Sequence, residues 1–152
     1  MKLLIINGPN MNLLGLREPE VYGRHSYAEL EKYICARCAA VGFECELYQS
    51  NHEGALVDAI QAAHGSADGI VINPAAYTHT SVAILDALRA VCLPAVEVHM
   101  SEPNERESFR HISYAGLACI KRFAGEGFDS YGKAIDFLAE YLQVGDMPAD
   151  GA

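Results

Sequence analysis

The sequence predicts a doubly wound α/β domain, a parallel sheet with helices on both faces, and three observations carry the prediction. Short apolar runs alternate with segments of helical periodicity: Leu3-Leu4-Ile5-Ile6, Gly69-Ile70-Val71-Ile72 and Ala95-Val96-Glu97-Val98. Runs of strand length without an alternating polar face read as strands buried on both sides, as in a covered parallel sheet. Each run also stops on a polar residue, at Asn7, Asn73 and His99. Open parallel sheets bind ligands in the crevice beyond the carboxyl ends of their strands. Two amides and an imidazole are therefore expected to converge on one cleft.

The elements follow in order. After the first strand come eighteen residues, Asn7 to Arg24, with three glycines, two prolines and no helical period. A loop that long in a compact domain reads as a functional lid. Ser26-x-x-Glu29 is a capping box that opens a helix to about Val41,. Gly42 ends it, and Phe43 to Tyr48 is the second strand. Ser50-x-x-Glu53 reads as a second capping box, for a helix with Leu56, Val57, Ile60 and Ala63 on one face,. Asp68 to Ile72 is the third strand. Thr78 or Thr80 is the expected cap of a helix carrying Val82, Leu85 and Leu88, which ends before Pro94. Ala95 to Val98 is the fourth strand, and residues 100 to 114 are polar and loop-like. A fifth strand is expected around Leu117 to Phe123, then a helix from about Asp129 to Leu142. The expected organisation is one catalytic domain over residues 1–144, with a lid at about 7–25 and a frayed tail over 145–152,. The architecture is a flavodoxin-like, five-stranded, all-parallel sheet.

Composition narrows the function. The 152 residues suit one domain with a real core, and no apolar run approaches a membrane span,. The first residues are a single lysine and a strand-length run, too short for a signal peptide,. A net charge of −9 argues against a nucleic-acid partner, so an anionic ligand needs local arginines,. Five cysteines, an odd number without a disulfide framework, point to a reducing, cytoplasmic location,.

The expected cleft has a definite chemistry. The lid carries Asn10, Asn12, Arg17, Glu18 and Tyr22. Glu97 and His99 lie two apart on a strand and hence on one face, where a carboxylate fixes an imidazole's tautomer and raises its basicity,. Arg106 and Arg110, four apart, suit a carboxylate,. An arginine beside a tyrosine lowers a phenol pKa that is ordinarily about 10. A tyrosinate base, a histidine acid, oxyanion-holding amides and a carboxylate clamp fit proton abstraction next to a carbonyl followed by elimination. Taken singly, Tyr22 reads as lid packing, Arg17 as solvated or paired with Glu18, His99 as structural and Asn73-Pro74 as a turn. Taken together they do not, because the fold sends them to one place.

These residues resemble a known family. Asn7-Gly8-Pro9-Asn10-Met11-Asn12-Leu13-Leu14-Gly15-Leu16-Arg17-Glu18-Pro19, running on to Tyr22-Gly23, is similar to the first signature of the type II 3-dehydroquinate dehydratases. Ile72-Asn73-Pro74-Ala75-Ala76-Tyr77-Thr78-His79-Thr80-Ser81 and Glu97-Val98-His99-Met100-Ser101 resemble the second and third, and Phe109-Arg110-His111 with Ser113-Tyr114 the arginine region. The likeness covers roughly residues 2 to 142. It implies dehydration of 3-dehydroquinate to 3-dehydroshikimate, in the shikimate or quinate route, with no cofactor and no metal. Carried over by position, Tyr22 removes the C2 proton, Arg17 stabilises its phenolate and Asn10 holds a water against the enolate. His99, oriented by Glu97, protonates the departing C1 hydroxyl. Asn73, His79, Ser101, the Met100 backbone and Arg110 hold hydroxyls and carboxylate, and Arg106 belongs to the same shell. The resemblance further implies a dodecamer, a tetramer of trimers, with Asp86 reaching a neighbouring subunit's site. A catalytically weak homologue acting as a ligand-binding scaffold is the alternative.

Two stretches depart from the family pattern: Glu102-Pro103-Asn104-Glu105, where Asn-Ile/Val-His-Ala is usual, and Lys121 to Gly127, in place of a short Gly-Leu-Gly-like run. They bear on carboxylate-side binding and on subunit packing. Other functions fit less well. Residues 7–25 hold no serine, threonine or dinucleotide glycine pattern for a flavin or nucleotide phosphate, and Asn7 and Asn73 replace the acidic cluster of a phosphoacceptor,. Lys2, Lys32, Lys121 and Lys133 lie away from the expected cleft, against a lysine Schiff base. Cys35-x-x-Cys38 falls within a helix without a second ligand pair, which disfavours metal or redox work,. His25, His52, His64 and His111 read as structural or solvated.

Overall fold

In the computed structural model the described residues are 1–16, 18, 20 and 24–145. The expected base Tyr22, its partner Arg17 and the tail from 146 onward lie outside them. Five strands run β1 (Lys2–Asn7), β2 (Glu44–Gln49), β3 (Gly69–Asn73), β4 (Ala95–His99) and β5 (Lys121–Ala124). They form one all-parallel sheet in the order β2-β1-β3-β4-β5, the flavodoxin-like arrangement expected,. Four long helices connect and cover them: α1 (Tyr27–Ala40), α2 (Glu53–Ala62), α3 (Val82–Val91) and α4 (Phe128–Gly145).

Strand alternation builds two cores from one run of residues. Leu3 and Ile5 of β1, with Val71, Val96 and Val98, pack under Leu30 and Ile34 of α1 and Ile135 and Leu138 of α4. Leu4 and Ile6, with Ile70 and Ile72, face the other way onto Leu56 and Ile60 of α2 and Ile84 and Leu88 of α3,. On β4 the same alternation directs Val96 and Val98 to the first core. Glu97 and His99 thus share the opposite face.

Helix starts differ from expectation where several hydroxyls compete. The α1 capping box is present: Glu29 N donates to Ser26 Oγ (3.2 Å) and Ser26 N to Glu29 Oε2 (2.8 Å). The second box is not formed. Ser50 Oγ accepts from His52 N (3.0 Å), and His52 is the α2 N-cap without a side-chain bond. On α3 neither Thr78 nor Thr80 is the cap; Ser81 Oγ accepts from Ile84 N (3.0 Å) while Thr78 is buried in the preceding 3₁₀ turn. The fifth strand starts later than expected. Residues Ala115–Ala118 make a 3₁₀ turn against α3, so pairing begins only at Lys121.

The loops after β1 and β3 meet closely. Gly8 N donates to the Asn73 carbonyl (2.8 Å), and a Cβ on Gly8 would lie 2.4 Å from the Pro74 carbonyl oxygen. Only glycine permits that approach. Among the described residues no helix is long and apolar enough to cross a membrane.

Candidate active site

Three strand ends open onto one cleft. The loop after β1 contributes Pro9, Asn10, Met11 and Leu14; the turn after β3 contributes Asn73, Ala75, Ala76 and His79. The segment after β4 contributes His99, Met100, Ser101, Pro103, Arg106 and Arg110. The sequence-expected residues Asn10, Asn73, His79, His99, Met100, Ser101, Arg106 and Arg110 therefore do come together. Asp86 does not line this cleft; it is on the exposed side of α3. None of the lysines lines it either. Lys2 pairs with Glu46 and Lys133 with Glu126.

Asn7 is a correction to the expected convergence. It is fully buried, its Oδ1 accepting from the Tyr131 hydroxyl at 2.5 Å and its Nδ2 reaching the Tyr27 hydroxyl at 3.4 Å. Tyr131 in turn accepts from Asn73 Nδ2 (2.9 Å), and Asn73 Oδ1 accepts from Ala75 N (3.1 Å). The Asn73 amide is thereby fixed from both ends at the cleft wall. Burial raises the pKa of Tyr131, so it remains a neutral hydroxyl able to donate and accept at once,. Replacing Tyr131 with Phe leaves Asn7 Oδ1 without a partner and Asn73 Nδ2 with only the Met11 sulfur at 3.7 Å. We predict a loss of about 1–3 kcal/mol in denaturant unfolding, with a raised KM. Unchanged stability and KM would show the network to be dispensable.

Backbone strain gathers beside the cleft. Asn10 (φ 67) and Ala75 (φ 52) both adopt left-handed conformations, a placement that is often functional. Asn10 is anchored by its N–H to Asn51 Oδ1 (2.9 Å), and Gln49 Nε2 donates to the same oxygen (3.2 Å) and to the Gly8 carbonyl (3.2 Å).

The ionisable groups define what the cleft can do. His99 Nε2 is 2.7 Å from Glu97 Oε1, which also accepts from Ser113 Oγ at 2.6 Å. Ser113 Oγ accepts from Gly116 N (2.9 Å). A Cβ on Gly116 would come within 2.6 Å of Glu97 Oε2 and 2.8 Å of Ser113 Oγ, so any side chain there displaces the pair. Burial pushes the Glu97 carboxyl upward, but the hydrogen bond and charge of His99, with Ser113 and Arg122, outweigh it and hold the carboxyl below the usual 4.5. An ionised Glu97 accepts Nε2–H, leaving Nδ1 of His99 to give or take a proton.

A group whose folded pKa is depressed contributes stability above its unfolded value and loses it as pH falls through the folded one. The unfolding midpoint is therefore expected to drop below about pH 4.5. Glu97→Gln should lower the midpoint at neutral pH and flatten that acid limb; an unchanged limb in thermal scans would assign it elsewhere.

His79 is positioned by its Nδ1, 2.7 Å from the Ile112 carbonyl, which requires Nδ1–H. Burial is the main reason its pKa is lowered. A neutral ring in that tautomer leaves Nε2 as an acceptor. Of the arginines, Arg110 Nε donates to Glu107 Oε2 (2.8 Å), and Arg106 Nη2 lies 3.4 Å from Glu18 Oε2. Both guanidiniums are largely buried at the cleft, where they can hold an anion bidentately,.

The two departures from the family pattern touch each other. Glu102 Oε1 accepts from Asn104 N (3.1 Å), capping the turn that holds Pro103, and pairs with Arg122 Nη2 of β5 (2.9 Å). The unusual residues of one stretch thus hold the other beside the cleft. The sequence offers Ser113 only as part of the arginine-region motif, and Tyr131, Asn51 and Gly116 stand outside every motif. A tyrosine in the buried stripe of α4 is itself a signal, since a buried phenol needs a partner; Asn51 and Gly116 offer none.

Fold and cleft together define a doubly wound α/β protein with a hydrogen-bonded glutamate–histidine pair and two arginines at one cleft beyond its strand ends. A family model described as dehydroquinase class II matches residues 1–139, and the chain belongs to that family. A 3-dehydroquinate dehydratase of Corynebacterium glutamicum is 51% identical over 138 residues, covering 91% of this chain and 95% of its own. A catabolic 3-dehydroquinase of Aspergillus oryzae is 52% identical over 137 residues, 90% of each chain. The crystal structure of a type II dehydroquinase from Butyrivibrio crossotus superposes with a TM-score of 0.89 at 51% identity, covering 91% of this chain and 97% of that one.

Proposed function

We propose that the chain dehydrates 3-dehydroquinate to 3-dehydroshikimate by anti elimination through an enolate. The reading is supported by family membership, and chiefly by the buried Glu97–His99 pair at the carboxyl end of β4, facing a cleft that also holds Asn73, His79 and Arg110. Tyr22 is the base at C2, its phenolate stabilised by Arg17. Asn10 holds a water against the enolate oxygen. His99 protonates the C1 hydroxyl as it leaves, and anionic Glu97 stabilises the imidazolium that precedes the transfer. Asn73 and Ser101 bind hydroxyls with the Met100 backbone, and neutral His79 accepts from one. Arg110, with Arg106 in the same shell, binds the carboxylate. No metal or cofactor has a part in this scheme.

Assembly as a dodecamer, a tetramer of trimers, belongs to the same reading. Asp86 then serves a neighbouring subunit's site, in keeping with its exposure on α3, where Val82 and, on the adjoining turn, Leu117 are also exposed. Free thiols at all five cysteines accord with a cytoplasmic location,.

The test is an ultraviolet assay for the conjugated enone formed from 3-dehydroquinate, with and without borohydride. Rapid enone formation that borohydride spares is expected. No enone, with 3-dehydroquinate still raising the melting temperature, would leave a binding protein and reject the enzyme.

A further inference from the structure

Far from the cleft, α1 and β2 gather three of the five thiols. Cys35 and Cys38 lie on α1 and Cys45 on β2. Cys38 is fully buried, Cys45 half-buried and Cys35 exposed. The Sγ atoms of Cys45 and Cys35 are 3.7 Å apart, in van der Waals contact. The chain turns from α1 into β2 through Gly42 (φ 77), with Phe43 N donating to the Cys38 carbonyl at 2.9 Å, so the contact is built into a tight connection.

We propose that Cys35 and Cys45 form a redox modification site, a thiol pair that a peroxide converts into an intrachain disulfide. The Cys35 thiol gives up its proton and the thiolate attacks the peroxide O–O bond, becoming a sulfenic acid, while the other oxygen leaves as hydroxide and takes up that proton to form water. Cys45 sulfur then attacks Cys35 sulfur; the S–S bond forms, the S–O bond breaks, and hydroxide departs with the Cys45 proton as a second water. Two thiols and one hydrogen peroxide thus give one disulfide and two waters. The sulfurs must close from contact at 3.7 Å to about 2.05 Å,.

The third thiol, Cys38, also neighbours Cys45 but takes no part in the exchange. Burial above all pushes Cys38 up to about 12, which keeps it a thiol,. Cys45 is also raised, by burial first and then by Cys35, so it resolves the sulfenic acid rather than meeting the oxidant. Cys45 lies near the amino end of β2, and the cleft lies beyond the carboxyl ends of the strands. The bridge therefore pins α1 to β2 and leaves turnover unchanged. Nothing in this inference depends on the dehydration chemistry.

The test exposes the full-length protein to equimolar hydrogen peroxide, then alkylates it under denaturing conditions for mass spectrometry. Two of the five thiols should disappear without chain dimerisation, with Cys35 and Cys45 in one cross-linked peptide and a melting temperature that rises and is restored by dithiothreitol. Cys38→Ser should keep the bridge. Cys45→Ser should leave a Cys35 sulfenic acid that dimedone traps, and Cys35→Ser, at an exposed position, should abolish bridging without affecting the fold. Five alkylated thiols after peroxide, a bridge containing Cys38, or a link only between chains would each overturn the assignment.

Discussion

Tyr22→Phe is expected to fold, bind 3-dehydroquinate and lose nearly all turnover, by at least the roughly 10²–10⁴-fold that a positioned base supplies. Phenylalanine keeps the ring and removes only the oxygen that would take the C2 proton. A free phenol with a pKa near 10 is ionised in about one molecule in a thousand at pH 7. Lowering that pKa takes roughly 1.4 kcal/mol per unit, which is the role proposed for the Arg17 guanidinium. Other tyrosines near the cleft are poor substitutes. Tyr131 is committed to Asn7 and Asn73, Tyr27 is raised by burial, and Tyr77 donates to the Asn51 carbonyl at 2.8 Å. Enone formation and exchange of the C2 proton with solvent should both be lost in the variant, while ligand still raises the melting temperature. Turnover like that of the wild type would reject Tyr22 as the base.

Much of this site was legible because parallel strands buried on both faces must be apolar until they end. The polar residue at each end is then conspicuous, and for Asn73 and His99 the reading led straight to the cleft. Asn7 misled for a physical reason: a strand-end amide can turn into the core if something there satisfies it. Its partner, Tyr131, is distant in the chain, and a single sequence carries no sign of that pairing. The fifth strand was blurred because β5 is an edge strand beginning Lys121-Arg122, both exposed, whereas the apolar Leu117-Ala118 before it forms a 3₁₀ turn. Helix caps were uncertain wherever hydroxyls crowd, as at Thr78, Thr80 and Ser81. Cys35-x-x-Cys38 shows no further ligands in the sequence, and helical spacing does not reveal that Cys45 meets Cys35 from the next strand.

His99→Ala should separate the two halves of the reaction. Removing the C2 proton needs a base and a stabilised enolate, and neither role is assigned to His99. Expelling the C1 hydroxyl needs a proton, because hydroxide is a poor leaving group. The variant is therefore expected to exchange the C2 proton with solvent while losing enone formation about 10²–10⁴-fold. The structure complicates a bare substitution, since Glu97 is fully buried and His99 is its hydrogen-bonded partner. Removing one member of such a pair strands the other and destabilises the fold. The double variant Glu97→Gln/His99→Ala relieves that stranded charge and should recover part of the stability, with no recovery of elimination. If exchange and elimination instead fall together in both variants, His99 acts by holding the β4 end in shape. Exchange that persists while elimination fails makes it the acid, and the Glu97 carboxylate, held ionised by its hydrogen bonds, is then what keeps that proton in reserve.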